Sequence, residues 1–263
     1  MTENQSIYIN TPAVIFAFIF DISLIFIYSF INIKYYKGKI FTILIGIVGF
    51  IGSVFLEGIT ILIITQIFGE KSKMLIPFSL AFPGIFEETG RYICFKYILN
   101  KDKDKIKSIS YGIGHGGIES LLVGVSLLRF IFIKDSLIEQ GLLKEDLTFI
   151  YIFLGALERF VGVFIQISLS VMVFKTIKEN DHKFYIIAIF LHDFIDFFAF
   201  LYNQNILSNL FVIEFLICFF AVIISRYAHK LYINLENEIE NEEKEKKEHE
   251  NFYPLENKKE EEA

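Results

Sequence analysis

Cysteine is scarce in this sequence, since its 263 residues include two, Cys94 and Cys218, and both lie in apolar segments. Neither a disulfide framework nor a cysteine-based zinc site can be built from such a pair. No internal repeat or glycine-rich nucleotide loop is visible, so neither a repeat protein nor a phosphate-cradling site is predicted. Residues 1–12 precede the first apolar run and have no basic region or small-residue cleavage pattern, which predicts a retained helix and not a signal peptide.

Apolar residues, in contrast, dominate the chain. Hydrophobic residues make up 54% of it, and Phe alone occurs 31 times. The mean hydropathy is +0.50 even though a fully polar C-terminal segment is included. This apolar share exceeds that of a usual soluble domain. The composition therefore predicts an all-α fold, a polytopic transmembrane helical bundle.

Apolar runs long enough to cross about 30 Å of hydrocarbon occur about seven times. We place them at Thr11–Ile33, Ile40–Ile67, Leu75–Leu99, Ile106–Ile133, Thr148–Phe174, Phe184–Tyr202 and Ile206–Tyr232. Residues 1–232 then form a transmembrane domain, and the Glu-, Lys- and Asn-rich residues 233–263 form a disordered or partly helical cytoplasmic tail. Within the third run, Pro83 and Gly84 predict a kink or unwound turn just before Glu87.

Lysine and arginine are more frequent in the connections after the odd-numbered spans than in the others. Lys34, Lys37 and Lys39, for example, all follow the first span. The positive-inside rule then predicts a multi-pass protein of the cell membrane with its N-terminus outside and its C-terminus in the cytoplasm.

Ionisable residues nevertheless occur inside three of the predicted spans. They are Glu87, Glu88 and Arg91 in the third span, His115 and Glu119 in the fourth, and His192 and Asp196 in the sixth. A carboxylate at the bilayer centre costs at least ~3 kcal/mol, so such residues are candidates for a functional site. At 1.5 Å per residue, both histidines lie roughly 12 Å from the cytoplasmic surface and Glu87 roughly 18 Å. These similar depths predict one polar site between spans 3, 4 and 6.

Each of the two histidines has a carboxylate four residues later, on the same helix face. Such a pair either shares a metal ion or lets the acid orient the imidazole. Other polar residues of the spans, among them Asp21, Glu158 and Arg159, are interpreted as satisfied structural hydrogen-bonding groups.

Three motifs carry a resemblance to a known family: a Glu-Glu pair followed by Arg, an aromatic residue four before a His, and a later His followed four on by an acid. They lie at Glu87, Glu88 and Arg91, at Tyr111 and His115, and at His192 and Asp196. The combination resembles the intramembrane protease superfamily of CAAX prenyl endopeptidases and bacteriocin-processing proteins, and is most similar to its YhfC and PrsW types of intramembrane metalloprotease. The resemblance implies that one glutamate of the pair activates a water with help from the first histidine. The second histidine and Asp196 would stabilise the oxyanion.

Two departures from the prenyl endopeptidase pattern favour a metal. Asp196 stands where Asn is more usual, and Glu119 is an added carboxylate. His115, Glu119, His192 and Asp196 would then form a Zn²⁺ site with a bound water. In the alternative without metal, an intramembrane glutamate such as Glu87 acts as the general base.

We therefore predict a membrane-embedded peptidase that hydrolyses a peptide bond of a membrane-associated protein or peptide. Its predicted partners are that substrate and the lipid bilayer, and no nucleic acid. One alternative is a non-enzymatic immunity or membrane-scaffold protein that retains the site for folding. A further alternative is a proton- or ion-coupled transporter, in which buried histidines and carboxylates form a relay.

Overall fold

A computed structural model describes residues 7–70, 72–99, 104–140, 143 and 146–252, and of residues 236–252 the backbone alone. Its helices are α1 (Thr11–Tyr36), α2 (Ile40–Phe68), α3 (Leu75–Ile93), α4 (Ile106–Leu127), α5 (Arg129–Phe132), α6 (Lys134–Glu139), α7 (Phe149–Glu179), α8 (Lys183–Asn203) and α9 (Leu210–Phe252). The described residues contain no strand, and Ile9 with Leu147 forms an isolated bridge. The predicted all-α fold is confirmed.

Six of the described helical segments are long and apolar enough to cross a membrane: α1, α2, α4 with α5, α7, α8, and α9 as far as Leu235. The chain is therefore a multi-pass membrane protein. The helix α3 occupies the place of the predicted third span but carries Glu87, Glu88 and Arg91, so it is less apolar than the six. The helix α9 continues into the predicted tail as far as Phe252, and residues 253–263 lie outside the described residues.

The helix α4 lies at the centre of the bundle and packs against α1, α2 and α7. Its glycines permit this close packing. A Cβ atom at Gly114 would lie 2.0 Å from the backbone oxygen of Ile43 on α2, and one at Gly112 would lie 2.5 Å from the Cα of Ile167 on α7. Neither distance is sterically possible, so at these positions the helices meet backbone to backbone. His115, which follows Gly114, is fully buried as a result.

The helix α3 remains helical through Pro83, and the unwound turn predicted before Glu87 is not present in this fully described helix. Proline still disturbs the hydrogen bonds of the turn around it. The backbone N–H of the next residue, Gly84, donates to Oδ1 of Asp193 on α8 at 2.8 Å. An irregular segment occurs only after the acidic pair, where Cys94–Ile98 form a π-helical turn. The Gly84 bond fixes α3 against α8 one turn before Glu87.

Candidate functional site

Glu87 on α3 lies between two histidines that come from different helices. Its Oε2 atom is 2.8 Å from Nε2 of His115 on α4 and 3.7 Å from Nε2 of His192 on α8. All three residues are buried. The structure thus brings both predicted histidines to the predicted glutamate, and Oε2 of Glu87 is the point at which α3, α4 and α8 meet.

Glu88 is fully buried and contacts different groups. Its Oε1 lies 2.8 Å from Nδ1 of His192, and its Oε2 lies 3.3 Å from Nη1 of Arg91. An ionised carboxylate can only accept, so we assign the hydrogen of His192 to Nδ1, which leaves a lone pair on Nε2. Glu88 therefore orients the ring of His192 so that Nε2 faces Glu87 and Asp196.

The His115 ring is fixed by two aromatic neighbours. Its centroid lies 5.0 Å from that of Phe50 and 5.9 Å from that of Tyr111. Its Nδ1 atom has no hydrogen-bond partner among the described residues. We therefore assign the ring hydrogen to Nε2, where the carboxylate of Glu87 accepts it. One hydrogen bond and two ring contacts hold this histidine in a single orientation.

Arg91 extends the polar network from α3 to α7. Its Nη2 donates to Oε1 of Gln166 at 2.5 Å, and its Nη1 donates to the backbone oxygen of the same residue at 3.2 Å. Its guanidinium also lies 5.9 Å from the ring centroid of Tyr111. Glu88 balances the charge of this fully buried side chain. The ion-pair partner of Arg91 is thus Glu88, three residues before it on α3.

Glu119 occupies a separate part of the network. Its Oε1 accepts from Nη1 of Arg159 at 2.8 Å, and its Oε2 accepts from Nε2 of Gln166 at 2.9 Å. Both oxygens are thus engaged by α7, and binding a metal would displace one of these donors. Arg159 also pairs with Glu158. The sequence treated Arg159 and Glu158 as purely structural, although Arg159 precedes Gln166 by seven residues and so lies on the same helix face.

Asp196 is the most exposed of the predicted site residues. Its Oδ2 lies 3.7 Å from Nε2 of His192, and its side chain is 44% exposed, which places it at the open side of the site. Asp193, which accepts the backbone hydrogen bond of Gly84, was not among the residues predicted from the sequence. Asp193 could have been identified from the sequence, because it is next to His192 and three residues before Asp196.

A small polar cavity of about 40 Å³ adjoins the site. It is lined by His192 and Asp196 of α8, by Glu119 of α4, and by Arg159 and Gln166 of α7. A polar cavity of this size holds water molecules. Water in it would therefore lie within reach of His192 and Asp196.

The donor set fits a metal in its chemistry. Two imidazole nitrogens face one carboxylate oxygen of Glu87, and Asp196 adds a second carboxylate beside His192. Histidine nitrogens and carboxylate oxygens are usual ligands of catalytic zinc. As the side chains stand, Glu87 contacts His115 directly, and within the described ranges no group of three or more such residues is arranged to hold an ion.

Comparisons with known proteins identify a family and a relative of this chain. Residues 19–217 match the family described as YhfC intramembrane metalloprotease. A curated relative, the "Uncharacterized membrane protein YhfC" of Bacillus subtilis (strain 168), is 27% identical over 159 residues. The match covers 53% of this chain and 62% of that protein, which is less than two thirds of its length. No solved structure matches the chain.

Proposed function

This chain belongs to the YhfC family of intramembrane metalloproteases, and on that premise we propose that it hydrolyses a peptide bond of a membrane-associated protein or peptide. The observation that supports the proposal is the convergence of two histidines from separate helices on Oε2 of Glu87. Histidines with a purely structural role can each be satisfied by a separate hydrogen-bond partner, and they do not require a common carboxylate. A buried acid between two imidazoles is, in contrast, suited to accept a proton from water.

We assign the general-base role to Glu87. A water beside it would attack the scissile carbonyl carbon as Glu87 takes its proton, and that proton would then pass to the leaving amine. His115 donates to Glu87 through Nε2 and holds the carboxylate in place. Glu88 and Arg91 position His192. Glu88 accepts a hydrogen bond from Nδ1 of the ring, and Arg91 neutralises the charge of Glu88.

A divalent cation such as Zn²⁺ would be held by Nε2 of His192, by the carboxylate of Asp196 and by Nε2 of His115, whose ring hydrogen would then lie on Nδ1 and no longer be donated to Glu87. When bound, it would polarise the scissile carbonyl as a Lewis acid. Glu119 is left outside this set because α7 engages both of its oxygens. The hydrogen bond that Nδ1 of His192 donates to Glu88 supports the assignment, because a carboxylate that accepts from the other ring nitrogen commonly fixes the orientation of a metal-binding histidine.

The test compares cells that produce the wild type with cells that produce Glu87→Gln, a nearly isosteric change. Mass spectrometry of protein N-termini should find new termini in membrane proteins of the wild-type cells. In the variant these termini should form roughly 10² to 10⁴ times more slowly, as expected for removal of a general base.

Glu179→Gln is the matched control. Glu179 is also an ion-paired acid of a long helix, but it lies at the end of α7 and pairs with Lys175. This variant should generate the same termini as the wild type at equal protein level. Identical sets of termini in the wild type and in Glu87→Gln would refute the proposal.

A further inference from the structure

Three cavities follow one another from the start of α1 to the candidate site, and the middle and inner ones lie along α7. The entrance cavity, about 320 Å³, lies where α1 begins and is lined by Thr11, Phe130 and Lys134, among others. The middle cavity, about 270 Å³, shares Phe130 with it and extends to Arg159. The inner cavity is the space of about 40 Å³ beside His192. Neighbouring cavities share lining residues, so the three spaces lie next to one another between the start of α1 and His192.

Arg159 and Glu158 line both the middle and the inner cavity, so the two residues lie between them. The guanidinium of Arg159 binds Glu119, which also lines the inner cavity, and Glu158. These ion pairs hold the Arg159 side chain between the two cavities. The Arg159 side chain is 18% exposed, unlike the fully buried Arg91, so it has room to change its conformation.

A glycine lies on each of the turns of α7 before and after Arg159. Gly155 lines the middle cavity and Gly162 lines the inner one. They lie four residues before and three residues after Arg159, on the same helix face. A Cβ atom at either glycine would meet no atom of the described residues within 4 Å. The two glycines thus leave open space on both sides of the guanidinium.

The middle cavity also contains a polar group that the protein leaves unpaired. Asp21 on α1 lines this cavity and is 1% exposed. Its Oδ1 atom has no hydrogen-bond partner within the described part of the chain. A buried carboxylate oxygen without a partner is costly, and a water in the cavity would satisfy it. The sequence predicted that Asp21 would be a satisfied hydrogen-bonding group, but its Oδ1 atom is available to bind water.

We infer that the three cavities are the route by which water reaches the candidate site, and that Arg159, held by Glu119 and Glu158, is the gate of this route. Peptide hydrolysis consumes one water per bond: its hydroxyl adds to the carbonyl carbon, the C–N bond breaks, and its proton goes to the amine. The surrounding hydrocarbon contains no water to supply this reaction. That this water is consumed in peptide hydrolysis rests on the proposed function. The existence of the water route does not depend on that function.

The test is hydroxyl-radical footprinting of the detergent-purified protein by radiolysis, which oxidises side chains that lie beside water. Ile165 and Ile195 line the inner cavity and serve as reporters. Gly155→Leu should fill the middle cavity without changing a candidate site residue, and oxidation of both reporters should be lost. Gly52→Leu on α2 is the control, because Gly52 is exposed and also has open space at its Cβ position. It should show wild-type oxidation.

Three results overturn the route. They are absence of oxidation at Ile165 and Ile195 in the wild type, wild-type oxidation in Gly155→Leu, and equal loss in Gly52→Leu. Assay of the new N-termini separates this inference from the proposed function. If Gly155→Leu loses the footprint and cleavage slows, both are supported. If the footprint is lost but the wild type cleaves nothing, the route is supported and the peptidase proposal fails.

Discussion

Glu87 and Glu88 are neighbours in the chain but contact different partners. Successive residues point about 100° apart around a helix, so Glu87 meets two Nε2 atoms while Glu88 meets Nδ1 of His192 and the guanidinium of Arg91. His192 therefore touches both glutamates, one through each ring nitrogen. A change at either histidine disturbs the same assembly.

Because the two histidines act on one carboxylate, their substitutions should not be additive. His115→Ala and His192→Ala should each abolish cleavage, and the double variant should be no slower, as expected for residues that work as a unit. The rate at which new N-termini appear measures this directly. For a metal site, elemental analysis of the purified protein should also find less zinc in each single variant than in the wild type. Losses that multiply in the double variant would show that the histidines act independently.

The sequence supported some of these residue contacts and not others. The similar depths of His115, His192 and Glu87 in the membrane predicted that these residues would share one site. Those depths could be calculated from the sequence because they depend only on the rise per residue of a helix. The ion pair between Glu119 and Arg159 was not predicted. Spacing rules give partners on the same helix, whereas a pair between α4 and α7 depends on how far each helix is rotated about its axis. That rotation is set by packing.

At the scale of elements, the glycines of α4 determine how closely the helices approach. Gly114→Ala would place a methyl group 2.0 Å from the backbone oxygen of Ile43, so α2 and α4 must move apart. Overpacking of this kind costs about 1–3 kcal/mol. Thermal unfolding in detergent should show a destabilised protein. Gly52→Ala, whose methyl group meets open space, should be as stable as the wild type or slightly more stable. Equal stability of the two variants would contradict backbone contact at Gly114.

The ends of the helices were predicted well where they coincide with the ends of the apolar segment, and less well elsewhere. The second span was predicted at Ile40–Ile67 and is observed at Ile40–Phe68. The fifth was predicted to end at Phe174, but α7 continues to Glu179 and ends where Asn180 adopts a left-handed conformation. Hydropathy locates the apolar part of a helix, whereas backbone conformation ends it. The Gly84 to Asp193 bond lay beyond sequence reasoning because its partners are 109 positions apart.

At the scale of the whole molecule, the orientation in the membrane stays a prediction that the lysine distribution supports. Cysteines placed at the two ends of α8 test it, after Cys94 and Cys218 are replaced by Ser. In intact cells an impermeant thiol reagent should label Asn203→Cys, and it should label His182→Cys only after permeabilisation. The reverse labelling pattern would show that the protein has the opposite orientation in the membrane, and it would not affect the description of the helical bundle.

The helix α9 runs without interruption from the apolar bundle to Phe252. At 1.5 Å per residue, its part beyond Leu235 extends about 25 Å, nearly the thickness of the hydrocarbon layer. A soluble helical protein fused in register at Phe252 would therefore be carried rigidly, clear of the detergent micelle. Such a fusion would give a 30.6 kDa membrane protein the asymmetric external mass that particle alignment in electron cryomicroscopy requires.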